Sequence, residues 1–187
     1  RMLVLIGEMA GIAISNAKLH AETKELSLHD PLTGLGNRRY MEIMFEKAFA
    51  LIKRYGGRFS VIMLDIDDFK KYNDARGHNA GDLLLADISR LIAKELRETD
   101  MAVRYGGEEF FIMLPETDLS ESYGIAERIR KAIHDNTEVT VSLGVSACRP
   151  GLEKADITKM ADDALYQAKN KGKNRVECIQ EYRITAE

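Results

Sequence analysis

Two apolar runs in the middle of the chain are joined by a short acidic connection. The first run, "DMAVRY", ends just before Gly106 and Gly107, and the second, "EEFFIMLP", begins at Glu108. A glycine pair between two such runs is typical of a tight β-hairpin. The sequence therefore predicts two adjacent antiparallel strands, with two glutamates at the tip of the hairpin.

The segments around this hairpin alternate between strand and helix patterns. The run "RFSVIMLDID" is apolar enough for a buried strand, and "EVTVSLGVSAC" shows the alternation of a strand. After a first helical segment the order is β-α-β-β-α-β, followed by one more helix and a candidate edge strand. This order predicts an α+β fold of the ferredoxin-like or palm type, with helices packed around a central antiparallel sheet and lying on one face of it. The helical segments are "RRYMEIMFEKAFALIKRYG", "AGDLLLADISRLIAKELR", "LSESYGIAERIRKAIHD" and "ITKMADDALYQAKNKG", and the candidate edge strand is "NRVECI".

The first 28 residues carry a heptad pattern about four repeats long. A polar residue, Asn16, lies in the middle of the seam, and one such residue can fix the register of paired helices. We expect a long coiled-coil-like helix that joins two chains; the alternative is an amphipathic helix packed on its own domain. Because the pattern begins without a helix cap, we also expect the chain to be part of a longer protein. The seam positions are Met2, Leu5, Met9, Ile12, Asn16, Leu19, Thr23 and Leu26.

Composition and charge argue against a nucleic-acid-binding protein and against a membrane protein. The 187 residues have a formal net charge of −3, which gives no reason to expect a nucleic-acid partner. The longest apolar stretch is interrupted by Glu8 and is too short to cross a bilayer, so no membrane segment is expected. We interpret Cys148 and Cys178 as reduced thiols of a cytoplasmic protein, with one disulfide as the alternative. The expected units are a dimerisation helix (1–28), one domain (29–180) and a tail (181–187).

Five acidic side chains are predicted to meet at one end of the sheet. In a split β-α-β arrangement the first and third strands are central neighbours, so the end of "RFSVIMLDID" lies beside the hairpin tip. Such a cluster is strongly repulsive unless a cation neutralises it. Oxygen ligands without clustered histidine or cysteine favour Mg²⁺ or Mn²⁺ over zinc. The carboxylates are Asp65, Asp67, Asp68, Glu108 and Glu109, and the candidate phosphate-binding lysines are Lys70, Lys71, Lys169, Lys171 and Lys173.

This combination of residues favours phosphoryl or nucleotidyl transfer. Two metal ions, a phosphate and in-line attack by an oxygen nucleophile recur in enzymes of that class. The alternative is a solvated acidic turn without a ligand, which is the usual state of glutamates at a hairpin tip. Residue types and spacing alone therefore lead to a metal and nucleotide site and no further.

Six segments of the chain resemble one protein family, in the order in which that family has them. They are "DPLTGLGNRR", "DIDDFKKYND", "GHNAGD", "RYGGEEF", "VSLGVS" and "ALYQAKNKGKN". The chain resembles GGDEF domains, the diguanylate cyclases, in their GGEEF variant, over roughly residues 29 to 178. The N-terminal "LIGEMAGIAISNAKLHAE" is similar to the last helix of a GAF sensor domain that continues into a signalling linker. This resemblance implies a sensor domain upstream of the chain.

The resemblance implies that two GTP molecules are condensed to cyclic di-GMP with release of two pyrophosphates. Each domain would bind one GTP with two metal ions, Mg²⁺ or Mn²⁺. A homodimer would therefore be needed for each 3′-hydroxyl to attack the other nucleotide. The implied metal ligands are Asp65, Glu108, Glu109 and the carbonyl oxygen of Ile66, and Glu108 is also the implied proton acceptor.

The resemblance also implies contacts to the nucleotide. Asn73 and Asp82 match the positions that contact the guanine edge, and Lys70 matches a residue that stabilises the developing phosphate charge. His78 is expected to order the nucleotide loop. The other implied substrate contacts are the backbone amides around Asp68 and Phe69 and the side chains of Lys169 and Lys173.

An inhibitory site is implied as well. The segment Arg97 to Asp100 matches the family's RxxD pattern at the family's distance from the two glycines. Together with Arg128 on a later helix, it would bind cyclic di-GMP and reduce activity as product accumulates. A surface ion pair between Arg97 and Asp100 is the alternative. Two other functions stay open for the whole domain: a catalytically silent module that binds GTP or cyclic di-GMP, and a related enzyme that acts on another nucleotide.

Two further aspartates are expected to take no part in metal binding or catalysis. Asp67 is expected to be solvated rather than to bind a metal. Asp30 is expected to brace the break before the first helical segment of the domain by pairing with Arg38 or Arg39. Neither residue is assigned a role in binding or catalysis at this point.

Overall fold

A six-stranded sheet with five helices around it is built by residues 28–149 and 152–179, the part of the chain that this computed structural model describes. The predicted 1–28 helix and 181–187 tail lie outside the described residues, except for Leu28. The elements are β1 (Gly36–Asn37), α1 (Arg38–Tyr55), β2 (Phe59–Ile66), α2 (Phe69–Arg76), α3 (His78–Glu95), β3 (Met101–Arg104), β4 (Glu109–Pro115), α4 (Leu119–Asn136), β5 (Val141–Ala147), α5 (Lys154–Asn170) and β6 (Val176–Cys178).

The strand order confirms the predicted α+β fold and the central position of the first and third predicted strands. The sheet runs β1-β3-β4-β2-β5-β6, so β2 and β4 are neighbours at its centre. The four central strands are antiparallel, as predicted. The two edge strands, β1 and β6, pair in parallel with their neighbours, so the complete sheet is mixed.

Helices cover both faces of the sheet, and the expectation that they share one face is wrong. All eight residues of β2 are buried, and successive side chains in a strand point to opposite faces. Each face of the central strands therefore needs its own apolar cover. One core joins Ile62 and Leu64 to α3 and α4, and the other joins Val61 and Met63 to α1 and α5.

Helix α5 approaches strand β5 closely at Gly144. A Cβ atom added at this position would lie 2.1 Å from the carbonyl oxygen of Ala161 and 2.2 Å from the nitrogen of Leu165. Both atoms belong to the α5 backbone. The Ser146 hydroxyl donates a 2.7 Å hydrogen bond to the Ile157 carbonyl and ties the same helix to the same strand. The absence of a side chain at residue 144 therefore sets the distance between α5 and the sheet.

The segment after β2 contains a helix that the sequence pattern did not predict. Helix α2 has eight residues, and only Phe69 among them is buried. It lacks the apolar stripe by which an amphipathic helix is identified. Gly77, at a φ of 84°, ends α2 by donating its backbone N–H to the Asn73 carbonyl, and α3 begins at the next residue. Among the described residues, no helix is both long and apolar enough to span a membrane.

Candidate active site

Asp65 and Glu109 lie opposite each other on the two central strands. They are paired in the β2–β4 register, and Asp65 is only 7% exposed. Burial raises the pKa of Asp65, a hydrogen bond from Lys169 opposes that shift, and the Asp67 charge adds to it. Burial also raises the pKa of Glu109, and the charge of Asp65 raises it further. The nearest cation is Lys169, whose Nζ lies 2.8 Å from Asp65 Oδ2, so the site holds more negative charge than one lysine neutralises.

The hairpin between β3 and β4 places Glu108 at the end of β2. The Ile66 amide donates a 3.3 Å hydrogen bond to the Glu108 carbonyl, which joins two of the predicted metal-binding residues through their backbones. The hairpin itself is closed by hydrogen bonds from the Tyr105 and Gly106 amides to the Glu109 carbonyl, at 2.8 and 3.3 Å. The predicted hairpin is confirmed.

The two glycines of the hairpin are not required by backbone conformation. Neither Gly106 nor Gly107 has a positive φ, unlike five other glycines of the described chain. A Cβ at Gly106 would lie 2.9 Å from Glu109 Oε2, so a side chain there would displace that carboxylate. A Cβ at Gly107 would meet nothing within 4 Å. Gly106 therefore leaves room for Glu109, and Gly107 leaves the tip of the hairpin open.

These donors fit a hard divalent cation shared with a phosphate group. The carboxylates of Asp65, Glu108 and Glu109 and the carbonyl of Ile66 are all oxygen ligands, as Mg²⁺ and Mn²⁺ prefer. Within residues 28–149 and 152–179, no three Asp, Glu, His or Cys side chains already form a metal-binding group. Mg²⁺ commonly binds through one or two carboxylates plus substrate phosphates. The donor set therefore suits a cation that is completed by a nucleotide.

Asp68 and the N-terminus of α2 form a second charged region beside the carboxylates. Asp68 has a φ of 55°, and its carboxylate lies 2.7 Å from Lys71 Nζ and 2.7 Å from Lys173 Nζ. Hydrogen bonds from Lys173 and then Lys71 lower the pKa of Asp68 to about 2. Phe69 begins the helix, and Lys70 is exposed on its first turn. A helix N-terminus with lysines beside it suits a phosphate group.

Asp67 is buried, and the expectation that it is solvated is wrong. Its carboxylate accepts hydrogen bonds from the hydroxyls of Thr140 and Ser142, at 2.6 and 2.7 Å, and from the Asn174 amide at 3.0 Å. Lys173 and Asn174 have φ values of 62° and 47°, a backbone conformation that is uncommon outside glycine. Asp67 therefore holds in place the turn that carries Lys173. One feature of the sequence could have indicated that Asp67 is buried. It follows the end of a buried strand, two residues after Asp65.

Asn73 and the helical turn of Asp82 are brought together at the junction of α2 and α3. The Oδ1 atom of Asn73 is buried and has no hydrogen-bond partner among the described residues. It lies against Gly81, the residue before Asp82. Asp82 is exposed, and His78, also exposed, is the first residue of α3. A buried polar atom without a hydrogen-bond partner is uncommon in folded proteins.

Arg104 is a residue of the site that sequence reasoning missed. Its guanidinium donates to the Gly107 carbonyl through Nε at 3.1 Å and through a terminal nitrogen at 2.9 Å. The other terminal nitrogen lies 3.3 Å from Asp30 Oδ2. Arg104 is thus a partner of Asp30 that the sequence did not predict, while Arg38, one of the two predicted partners, pairs with Glu42. Although burial opposes it, hydrogen bonds from Thr33 and the Arg104 charge lower the pKa of Asp30.

The three residues of the predicted inhibitory site lie around the C-terminus of α3. Asp100 accepts a 2.8 Å hydrogen bond from the Arg97 backbone amide, so the two form a turn rather than a side-chain ion pair. Arg128, on α4, donates to the side chain and to the backbone carbonyl of Glu95, both at 3.1 Å. From Asp82 to Glu95, α3 rises by about 20 Å. The turn directly precedes β3, and the acidic hairpin follows the other end of that strand, so the two lie at opposite ends of β3.

Comparisons with known proteins agree with this arrangement. The family model described as "Diguanylate cyclase, GGDEF domain" matches residues 27–175. The chain is 38% identical over 183 residues to diguanylate cyclase A of Treponema denticola, in an alignment that covers 91% of this chain and 48% of that protein. It is 40% identical over 166 residues to the response regulator PleD of Caulobacter vibrioides, covering 81% of this chain and 36% of PleD. The chain thus spans half or less of the length of these relatives.

A solved structure gives the same result for the fold. The coiled coil and GGDEF domain of DgcB from Caulobacter crescentus, crystallised in complex with c-di-GMP, has a TM-score of 0.80 and 29% sequence identity to this chain. The match covers 91% of this chain and 98% of the DgcB chain. Sequence, fold and the position of the acidic hairpin lead to one assignment. The chain belongs to the GGDEF domain family of diguanylate cyclases.

Proposed function

We propose that this chain is an active diguanylate cyclase that condenses two GTP molecules to cyclic di-GMP. The observation that carries the proposal is the pairing of Asp65 with Glu109 on the central strands, with Lys169 in contact with Asp65. Those charges lie at the same end of the sheet as Asp68 and the N-terminus of α2. The proposal also draws on the relatives that are named diguanylate cyclases.

Each round of the reaction forms one phosphodiester bond and breaks one phosphoanhydride bond. The 3′-hydroxyl oxygen of one GTP attacks the α-phosphorus of the other, and pyrophosphate leaves with the electrons of the broken bond. Glu108 accepts the hydroxyl proton. The second round repeats these changes with the nucleotides exchanged, so two GTP give one cyclic product and two pyrophosphates.

The remaining polar residues hold the nucleotide. Asn73 and Asp82 contact the guanine edge, and His78 supports the loop in front of them. The amides of Phe69 and its neighbours bind the terminal phosphates, together with Lys169 and Lys173. Lys70 stabilises the charge that develops on the phosphate during transfer. Two divalent cations, Mg²⁺ or Mn²⁺, held by Asp65, Glu108, Glu109 and the Ile66 carbonyl, would supply charge stabilisation at the α-phosphate and a more acidic 3′-hydroxyl.

The proposal requires two chains. Each domain provides one guanine contact pair and one set of carboxylates, so the two α-phosphates come from opposite protomers. The heptad pattern of residues 2–26 would hold two domains at high effective concentration. A homodimer joined through this segment is therefore part of the proposed function.

Turnover of GTP tests the proposal directly. Purified chain, freed of bound nucleotide, is incubated with GTP and Mg²⁺, and pyrophosphate release and product mass are followed. We expect a cyclic dinucleotide of two GMP units, and we expect Glu108→Gln to lower its rate by about 10²-fold or more, because proton acceptance and a metal ligand are lost together. Equal turnover of ATP would contradict the guanine assignment. Absence of product from a dimeric chain that still binds GTP would favour a binding module over an enzyme.

Arg97→Ala is expected to weaken inhibition by the product. The turn is held by Asp100 and the Arg97 backbone amide, so the substitution removes the guanidinium without removing the contact that shapes the turn. We expect the cyclic di-GMP concentration for half inhibition to rise at least about tenfold, in line with the loss of a charged hydrogen bond. Arg90→Ala, on the exposed surface of α3 just before this turn, is the matched control. Unchanged inhibition in Arg97→Ala would reject the inhibitory site.

A further inference from the structure

The turn between α5 and β6 has a backbone conformation that its own residues do not all favour. Gly172, Lys173 and Asn174 have φ values of 112°, 62° and 47°. Glycine adopts a positive φ freely and asparagine tolerates it, but lysine does so rarely. Such a conformation costs free energy and persists only where surrounding contacts determine it. The contacts that fix this turn therefore also fix the backbone from which the Lys173 side chain extends.

Asn174 is the residue of this turn that two other elements hold. Its backbone amide donates a 3.0 Å hydrogen bond to Asp67, just after β2. Its side-chain oxygen accepts a 2.6 Å hydrogen bond from a terminal nitrogen of Arg130 on α4. An arginine side chain can only donate hydrogen bonds, so this contact fixes the Asn174 amide with its oxygen toward α4. Because the two contacts act on different groups of one residue, they restrict both the position and the rotation of the turn.

Arg130 is itself held in a fixed orientation on α4. Its Nε and its other terminal nitrogen donate to both carboxylate oxygens of Glu127, at 3.0 to 3.2 Å. Paired hydrogen bonds of this kind fix the plane of the guanidinium. The Arg130 side chain is only 15% exposed, so solvent screens the pair less than one on the open surface. Helix α4 is anchored in the core by Ile125, Ile129 and Ile133, so Arg130 links a core helix to the turn.

We propose that Arg130 is a positioning residue of the nucleotide site, which holds Lys173 in place for the terminal phosphates by way of Asn174. This inference rests on the proposed function and deepens it. Lys173 Nζ lies 2.7 Å from Asp68 at the N-terminus of α2, where those phosphates are proposed to bind. Lysine carries its charge on a flexible four-carbon stem, so its ammonium is well placed only if the backbone beneath it is fixed. Arg130 acts through the turn and is assigned no contact with the nucleotide.

Binding of two guanosine nucleotides to the full chain tests the proposal. Calorimetry in Mg²⁺ compares α,β-methylene GTP, which has three phosphates, with GMP, which lacks the two terminal ones. We expect Arg130→Met to weaken binding of the triphosphate about fivefold and to leave GMP within about twofold of wild type. Lys131→Met removes one positive charge from the exposed surface of the same helix and should leave both affinities within about twofold of wild type. An equal loss for both nucleotides in Arg130→Met would show general damage and overturn the proposal.

A double-mutant cycle with Lys173→Ala identifies the group through which Arg130 acts. Lys173→Ala alone is expected to weaken binding of the triphosphate at least about tenfold, the loss of a hydrogen bond to a charged group. Adding Arg130→Met should then weaken it by less than about twofold more, because the positioned ammonium is already gone. A further loss as large as in the wild-type background overturns the proposal.

Substitutions of Asn174 test the same link and leave the Arg130–Glu127 pair intact. Asn174→Ala removes the acceptor and should reproduce the loss seen in Arg130→Met, whereas Asn174→Asp keeps an acceptor and should stay within about threefold of wild type. Should Arg130→Met fail to fold in thermal unfolding, Asn174→Ala carries the test. Wild-type affinity in Asn174→Ala overturns the role of Arg130 alone. A wild-type chain that binds the triphosphate with these dependences but forms no product overturns the proposed function and leaves the role of Arg130 in place.

Discussion

Replacing Asp65 with asparagine is expected to slow cyclic di-GMP formation at least about a hundredfold while making the fold more stable. Asp65 is buried on the central strand β2 and faces Glu109. The substitution removes an anionic metal ligand without changing the size of the side chain. We expect the rate of product formation to fall by about 10²- to 10³-fold or more, a loss typical of removing one electrostatic group from an active site.

The gain in stability follows from the direction of the Asp65 pKa shift. Burial, only partly opposed by Lys169, raises the pKa of Asp65 in the folded chain. Between its ordinary pKa and the raised value, the folded state binds more protons than the unfolded state, so stability falls as the pH rises. Asparagine does not titrate, so the substitution removes this loss of stability at higher pH. At pH 7 without metal, we expect Asp65→Asn to raise the free energy of unfolding by about 0.5–2 kcal/mol, as stabilising changes at functional sites commonly do.

Urea unfolding at pH 4 and pH 7, without divalent metal, measures this effect. The difference between Asp65→Asn and wild type should be larger at pH 7 than at pH 4. Asp135→Asn, the same chemical change on the exposed surface of α4, is the control for a general effect of charge. A less stable Asp65→Asn at pH 7 would show that the pair with Lys169 outweighs the cost of burial.

Gly144→Ala is expected to destabilise the fold by about 3 kcal/mol or more. The added methyl group would lie 2.1 and 2.2 Å from backbone atoms of α5, and backbone atoms cannot rotate away as a side chain end can. Helix α5 must therefore move away from strand β5, on which it packs. Overpacking in a core usually costs 1–3 kcal/mol, and contact with the backbone puts this case at the upper end.

Chemical unfolding of Gly144→Ala and Gly124→Ala separates this contact from the general effect of adding a methyl group. Gly124→Ala should be as stable as wild type or slightly more so, because alanine favours helix and the position is open. The outward movement of α5 also carries Lys169 away from Asp65, so the surviving folded fraction should bind nucleotide less tightly. A Gly144→Ala protein within 0.5 kcal/mol of wild type would show that α5 can shift at little cost.

The central part of the fold could be predicted from sequence because its strands are long and apolar. The runs that became β2, β4 and β5 each have seven or eight residues, and the hairpin at Gly106 fixed the pairing of two strands. The cluster of Asp65 with Glu109 followed from that order. The predicted ends of these strands were enough to predict that the acidic residues lie at one end of the sheet.

What could not be predicted depends on short elements and on distant contacts. Strand β1 has two residues, and α2 has no apolar stripe, so neither leaves a periodic signal. Asp67 was misassigned because its partners, Thr140 and Asn174, lie more than seventy residues away in the sequence.

The position of Arg104 has a consequence for how this domain varies among its relatives. The planar guanidinium of Arg104 donates to the Gly107 carbonyl through Nε and one terminal nitrogen. Its other terminal nitrogen pairs with the Asp30 carboxylate. Lysine has a single ammonium group and cannot match both partners in this geometry. Arg104 lies 74 positions after Asp30 and thus joins that carboxylate to the hairpin. In an alignment of relatives we expect these two columns to change together, so that the entry to the domain and its acidic hairpin evolve as one unit.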